Sequence, residues 1–212
     1  MNERIAGIDI PDSRLASEAT ELVRDAASPL LFHHSRRVFL FGSLQGNRLG
    51  LAADPELLYV GAMFHDLGLT EKYRRTDQRF ELDGADEARR FLAAHGLPED
   101  RIRLAWLGIA LHTTPETPYH LEPEVALVTA GVETDVLGIG YADLDRTLID
   151  AVLSVHPRPD FKRQILQAFT EGMKDRPATT FGTVNADVLA HFVPGFVRGD
   201  FVRVIEDSDW PE

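Results

Sequence analysis

An all-α fold follows from three features of the sequence. Helix-capping devices recur along it, apolar residues return at three- and four-residue spacing, and the two-residue alternation of a strand is nearly absent. The first helix is expected over residues 14–26. Ser28-Pro29 then places an N-cap before a proline at the first helical position, where the missing N–H is not needed, and Asp54-Pro55 repeats the device. These pairs open helices over 29–45 and 55–67. Ala88, Phe91, Leu92 and His95 share one face of a helix over 85–95 that stops at Gly96. Ile102, Ala105, Trp106 and Ile109 share a face over 98–112, so these two helices form a hairpin. Further helices are expected over 122–137, 143–155, 161–174 and 186–192. Phe64, Phe80, Trp106 and Phe181 read as core residues that could also wall a pocket.

The chain has 212 residues, 44% of them hydrophobic, which is one domain's worth of sequence with enough apolar material for a core. No repeat, low-complexity tract or polar linker divides it. It reads as an N-terminal helical extension (1–27), a main body (28–194) and a loosely docked acidic tail (195–212) that contains Trp210. With 22 Lys and Arg against 34 Asp and Glu, the net charge of −12 repels phosphate backbones and anionic lipid, so neither nucleic acid nor membrane is an expected partner. No segment approaches the roughly 18 apolar residues needed to span a bilayer, and a soluble, cytoplasmic protein is expected. Leu and Phe on helix surfaces suggest a homodimer. The chain has no cysteine, which excludes disulfides, thiolate metal sites and cysteine nucleophiles and leaves His and carboxylate as the available metal ligands.

The informative feature is His65-Asp66, closing the apolar run Ala62, Met63, Phe64. An imidazole beside a carboxylate at the buried end of a helix needs a partner, because an unpaired buried charge is costly. A divalent cation is one such partner. The two side chains leave the helix roughly 100° apart, so both could reach an ion over the helix edge. Other helices would supply the remaining ligands, with His34 and Asp135 as candidates. Two imidazoles and two carboxylates suit Zn, Fe or Mn and leave a position for water or substrate. Each residue also has a plainer reading. His33 or His34 could be a core histidine bonded to a carbonyl, and Asp135 a surface residue beside Glu133.

The order of these residues, as H-S-x-R-V from His34, M-F-H-D-L-G around His65-Asp66 and T-D-V-L-G around Asp135, resembles the HD-domain superfamily of metal-dependent hydrolases. R-F-E-L-D-G at 79–84, I-A-L-H-T at 109–113, P-E-V-A-L-V at 123–128 and P-A-T-T-F-G at 177–182 are similar to its cyanamide hydratase-like branch. The resemblance implies a single-domain HD-type helical bundle over 28–194 holding one divalent ion, zinc by default, on His34, His65, Asp66 and Asp135. His34 is preferred to His33 because Ser35 and Arg37-Val38 fall in register only from it.

His112, at a helix end, could be a general acid or base, an additional ligand, or a histidine favoured there by the helix dipole. Asp66 could serve as both ligand and proton acceptor. Glu81 and Asp83, in a turn-like segment, are expected with Thr113 to orient substrate, although Asp83 could instead cap a helix starting near Ala85. His95 reads as a capping residue and His120 as a loop residue without a partner. Lys72, Arg74 and Arg75 could meet a phosphate or simply face solvent. Three functions compete. The first is a metal-dependent hydratase or hydrolase of a small neutral molecule, with cyanamide as substrate on the resemblance alone. The second is a phosphohydrolase of a nucleotide or phosphomonoester. The third is a sensing module with a structural metal.

Overall fold

Capping side chains open the helices where the sequence places them. Ser13 Oγ accepts from the Ala16 amide, Ser28 Oγ from Leu31, and Asp54 Oδ1 from Glu56 and Leu57. They start α1 (Arg14–Ala26), α2 (Pro29–Leu49) and α3 (Pro55–Phe64) of a computed structural model that describes residues 3–210. The first two and last two residues of the expected extension and tail lie outside the described residues. Next come α4 (Phe80–Ala94), α5 (Glu99–Leu111), α6 (Pro123–Val132), α7 (Arg146–Val155), α8 (Phe161–Met173), α9 (Asn185–Phe192) and α10 (Phe201–Glu206). The fold is all-α apart from one small hairpin, β1 (Arg4–Ile5) against β2 (Ile8–Asp9). Its two-residue turn places Ala6 and Gly7 at φ 52° and 80°, the left-handed region such tight hairpins use. The sequence reading missed this hairpin because each strand is too short to show alternation.

Several boundaries differ from expectation. α2 runs four residues past 45, to a left-handed Gly50, because Gly46 is tolerated where Leu127 and Leu51 crowd its backbone. α3 stops at Phe64, and the chain turns through His65 and Asp66 into a single 3-10 turn at Leu67–Leu69. The segment expected as a turn at 81–83 is the first turn of α4, which starts at Phe80, so Asp83 is no N-cap. The expected helix over 122–137 divides into α6 and a wider π turn at Glu133–Leu137. Part of the acidic tail is helical, and α10 shows Phe201, Val202, Val204 and Ile205 to solvent. Phe181 is exposed rather than core, while Phe64 and Phe80 are buried.

The main core lies among α2, α3, α5 and α6, with α1 closing one side through Ala16, Ala19 and Val23. The α2–α6 contact is backbone-close. A Cβ on Gly131 would sit 2.1 Å from the Val38 carbonyl oxygen, so only glycine fits the crossing. A smaller cluster gathers Leu31, Leu69, Phe80, Phe161, Ile165 and Leu189 between the start of α2 and helices α8 and α9. Buried Arg176, just after α8, ties the two parts together. It donates to the carbonyls of Gly68 (2.6 Å), Arg75 (2.8 Å) and Gly172 (3.0 Å) and pairs with Asp83. The candidate site lies at the seam between the clusters.

Candidate metal centre

Two helix ends build the site by the same local device. His65 follows the last residue of α3 and His112 the last residue of α5. The final carbonyls of a helix lack intrahelical partners. Each histidine supplies one by donating from Nδ1, His65 to Ala62 O at 2.7 Å and His112 to Ile109 O at 2.6 Å. An Nδ1–H leaves Nε2 as a bare acceptor. Both Nε2 atoms therefore project beyond their helix ends as lone pairs. A third comes from α2, where His34 Nδ1 donates to Asp135 Oδ2 at 2.7 Å.

These lone pairs converge on Asp66. His65 Nε2 and His34 Nε2 lie 3.3 and 3.6 Å from Asp66 Oδ2 and 3.1 Å from each other, and His112 Nε2 lies 3.8 Å from Asp66 Oδ1. Both Asp66 oxygens and His112 Nε2 are buried without a hydrogen-bond partner. Ligand atoms held about 2.1 Å from one small cation sit about 3.0–3.4 Å apart, and the His34, His65 and Asp66 atoms, at 3.1, 3.3 and 3.6 Å, lie close to that spacing. Acceptors this close repel one another unless a positive charge lies among them, so the donor set fits a divalent metal ion. Each histidine's second nitrogen is anchored to a carboxylate or carbonyl, as metal-binding imidazoles require.

The charges respond to this crowding. Burial lowers the pKa of His34, against the pull of Asp135. Burial also lowers that of His112, to about 3, so His112 is neutral at neutral pH. Burial acts the same way on His65, but Asp66 beside it outweighs the effect and its pKa rises. Asp66 is raised by burial and lowered more strongly by the surrounding imidazoles, so it stays ionised.

In the structure Asp135, the fourth expected ligand, lies apart from this cluster. It bonds the Nδ1 edge of the His34 ring, on the other side from the Nε2 that faces Asp66. Arg37 holds it from behind, with Nε to Oδ1 and Nη2 to Oδ2 at 2.9 Å each, and Arg158 Nε lies 2.9 Å from Oδ1. The π turn at 133–137 places the carboxylate there, so in this structure it orients His34 rather than joining the cluster. Arg37 was legible in principle, since it stands three residues after His34 on the same helix face.

Above the cluster opens a cavity of about 420 Å³ with His34, His65, Asp66 and His112 at its base. Its walls are apolar, chiefly Val132, Val136, Phe161, Ile165, Phe169 and Val188, and Thr113 and Asn185 are polar members. Lys162 is the single Lys or Arg among the described residues lining it. A larger cleft of about 890 Å³, near residues 177–187 and 193–201, holds none of the convergent groups.

Of the remaining expected site residues, only Thr113 and Glu81 are at this cavity. Thr113 lines it, and Glu81 stands behind, accepting from Thr113 and Asn185. Asp83 lies apart from it, occupied by the Arg75 amide, Gln78 and Arg176. His95 bonds its own helix at Phe91 O, together with Glu18, and His120 is exposed. Arg74 and Arg75 are engaged by Glu171 O and Asp77.

A family model, the HD domain, matches residues 31–154, well over half of the chain. The chain belongs to the HD-domain family. No curated protein matches it. HD domains are in general metal-dependent hydrolases, and this HD domain brings His34, His65 and Asp66 together at the spacing a divalent ion needs. Within the matched span the three clustered residues come from α2 and the end of α3, and His112 from the end of α5. Among the described residues, no helix of this HD-domain protein is long and apolar enough to cross a membrane.

Proposed function

We propose that this HD-domain protein adds water to a small, largely neutral molecule of nitrile or cyanamide type, with zinc as its ion. The observation that carries this reading is the cavity, apolar in its walls and polar where the metal ligands converge. A phosphate ester would need several cationic partners, and among the described residues the cavity lining offers only Lys162, since Arg37 and Arg158 are committed to Asp135 and Arg75 to Asp77. The resemblance of 79–84, 109–113 and 177–182 to the cyanamide hydratase-like branch supports the same class.

A divalent ion held by His34, His65 and Asp66 supplies Lewis acidity that brings the pKa of water from about 16 towards 7. The chain's own residues do the rest. His112, neutral with Nε2 bare, accepts a hydrogen of the attacking water and orients it, a role its lowered pKa suits better than donating a proton. Asp66, both oxygens without protein donors, serves as ligand and proton acceptor. Asp135 holds His34 in the Nδ1–H form. The apolar walls exclude bulk water and seat the carbon chain. In the reaction a carbon–oxygen bond forms, one carbon–nitrogen π bond opens, and the protons of water move to nitrogen with no leaving group.

The test combines elemental analysis with two assays. Expected are about one metal equivalent per chain, amide or urea formation from nitriles or cyanamides, and loss of both metal and turnover in His65→Ala. Phosphate release from model esters without hydration of any nitrile or cyanamide would overturn the reading.

A further inference from the structure

Glu81 is buried at 2% exposure, and among the described residues no Lys or Arg pairs with it. Its Oε1 accepts two hydrogen bonds, from Thr113 Oγ1 at 2.5 Å and Asn185 Nδ2 at 2.7 Å. Its Oε2 is buried and unpartnered. Thr113 and Asn185 both line the cavity, and Thr113 is the next residue after His112. A carboxylate can only accept, so the Thr113 hydroxyl and the Asn185 amide must turn their protons towards Glu81. Thr113 then has only lone pairs left. Asn185 Oδ1 takes no donor among the described residues, and the amide keeps one further proton. The two residues thus offer the cavity two fixed acceptors against one remaining amide proton.

The size of the cavity adds a second constraint. About 420 Å³ lies in the range of about 300–1,000 Å³ that accommodates ligands of drug size. A substrate of three non-hydrogen atoms would leave most of the space to water against apolar walls, whereas an alkyl chain would displace that water.

We propose that Asn185 and Thr113, both oriented by Glu81, select substrates that carry an N–H beside the reacting carbon on an otherwise apolar chain, such as monoalkyl cyanamides. This specificity rests on the hydration reading above. The single N–H is shared between these acceptors, while methylating the nitrogen leaves both without a donor from the substrate, a loss of roughly tenfold to a hundredfold. Chain length has its own signature. Each methylene buried against the walls should raise kcat/KM about fourfold until the cavity is full.

The experiment uses zinc-loaded protein with hexylcyanamide and its N-methyl derivative as substrates. N-hexylformamide and N-hexyl-N-methylformamide serve as unreactive ligands for calorimetry. Expected is a preference of tenfold or more for the N–H member of each pair. The ratio should fall close to one in Asn185→Leu and Thr113→Val and persist in Thr113→Ser, which keeps the hydroxyl. A residue needed only for folding would lower stability without moving the ratio. Equal use of both cyanamides by the wild type overturns the selection while leaving the hydration reading standing. Turnover of neither, with phosphate esters cleaved, overturns the hydration reading. In that case a formamide preference that vanishes in Asn185→Leu still supports the acceptor pair, and its absence removes that as well.

Discussion

His33 and His34 are neighbours on α2, yet they enter two buried polar clusters with opposite bookkeeping. On the His33 side every buried side-chain group among the described residues is satisfied. Arg36 Nε donates to His156 Nε2 at 3.3 Å, so His156 carries its proton on Nδ1 and donates to His33 Nδ1 at 3.0 Å. Arg36 also donates to Tyr59 Oη and to Glu3, and Tyr59 bonds Thr20. No side-chain atom of these residues is buried without a partner. On the His34 side, Asp66 and His112 keep three unpartnered buried atoms within a few ångströms of two more lone pairs. A cluster that closes on itself stabilises the fold, and one that leaves convergent lone pairs open is shaped for a cation.

The largest effect that would sharpen this contrast is the loss of an open-cluster ligand. His65→Ala should take metal content from about one equivalent to none, and turnover to background, by elemental analysis and assay. Retention of full activity would break the contrast outright. Asp135→Asn should come next. It weakens the anchor of His34, lowering metal affinity about 10- to 100-fold by competition titration. It also leaves buried Arg37 uncompensated, costing about 3–5 kcal/mol in denaturant unfolding. Adding Arg37→Met to Asp135→Asn should recover stability without recovering affinity.

The clusters should also differ in how pH acts on them. His156 is held down to about 3, by burial and then by Arg36, so the folded state resists its protonation. Its contribution is constant above the unfolded value of about 6.5 and is lost as pH falls from there towards about 3. His156→Gln should therefore show a smaller drop in Tm between pH 7.5 and pH 5 than the wild type. His65 runs the other way: its pKa is raised, so the stability from its proton is present below the unfolded value and fades as pH rises through the folded one. A metal ion competes with that proton, and metal-induced gain in Tm should grow from pH 5.5 to 7.5. The smallest effect belongs to Tyr59→Phe. It removes an oxygen shared by Arg36 and Thr20, costing about 1–3 kcal/mol with metal content and turnover unchanged.

The helix starts were the legible part of the fold, because a cap is a local device. Ser28-Pro29 and Asp54-Pro55 act within four residues of chain. Helix ends were less legible. Whether α2 stops near residue 45 or at Gly50 depends on what packs beside Gly46, and the approach to α4 at Phe80 is held by Arg176, far along the chain, through the Arg75 and Gln78 carbonyls. His65 and Asp66 could be picked out because an imidazole and a carboxylate ending an apolar helix demand a partner, while His34 stands beside Asp135 as a candidate and is preferred to His33 only by the register of the family resemblance. Asn185 had no such signal, being one polar residue at the start of a short helix whose neighbour, Glu81, lies 104 positions away.

By itself the sequence determined the all-α class, the restriction of any metal site to His and carboxylate, and the pairing of His65 with Asp66, since composition, periodicity and adjacency are properties of the chain. Tertiary structure alone decided which lone pairs stay open. Asp135 is drawn to the far edge of His34 by Arg37, His33 is turned to His156 while His34 turns to the site, and Asn185 is brought to Glu81. The physical reason is that a hydrogen bond has direction as well as partners. The sequence names the donors and acceptors, but only packing fixes which way each one faces and which is left for a ligand.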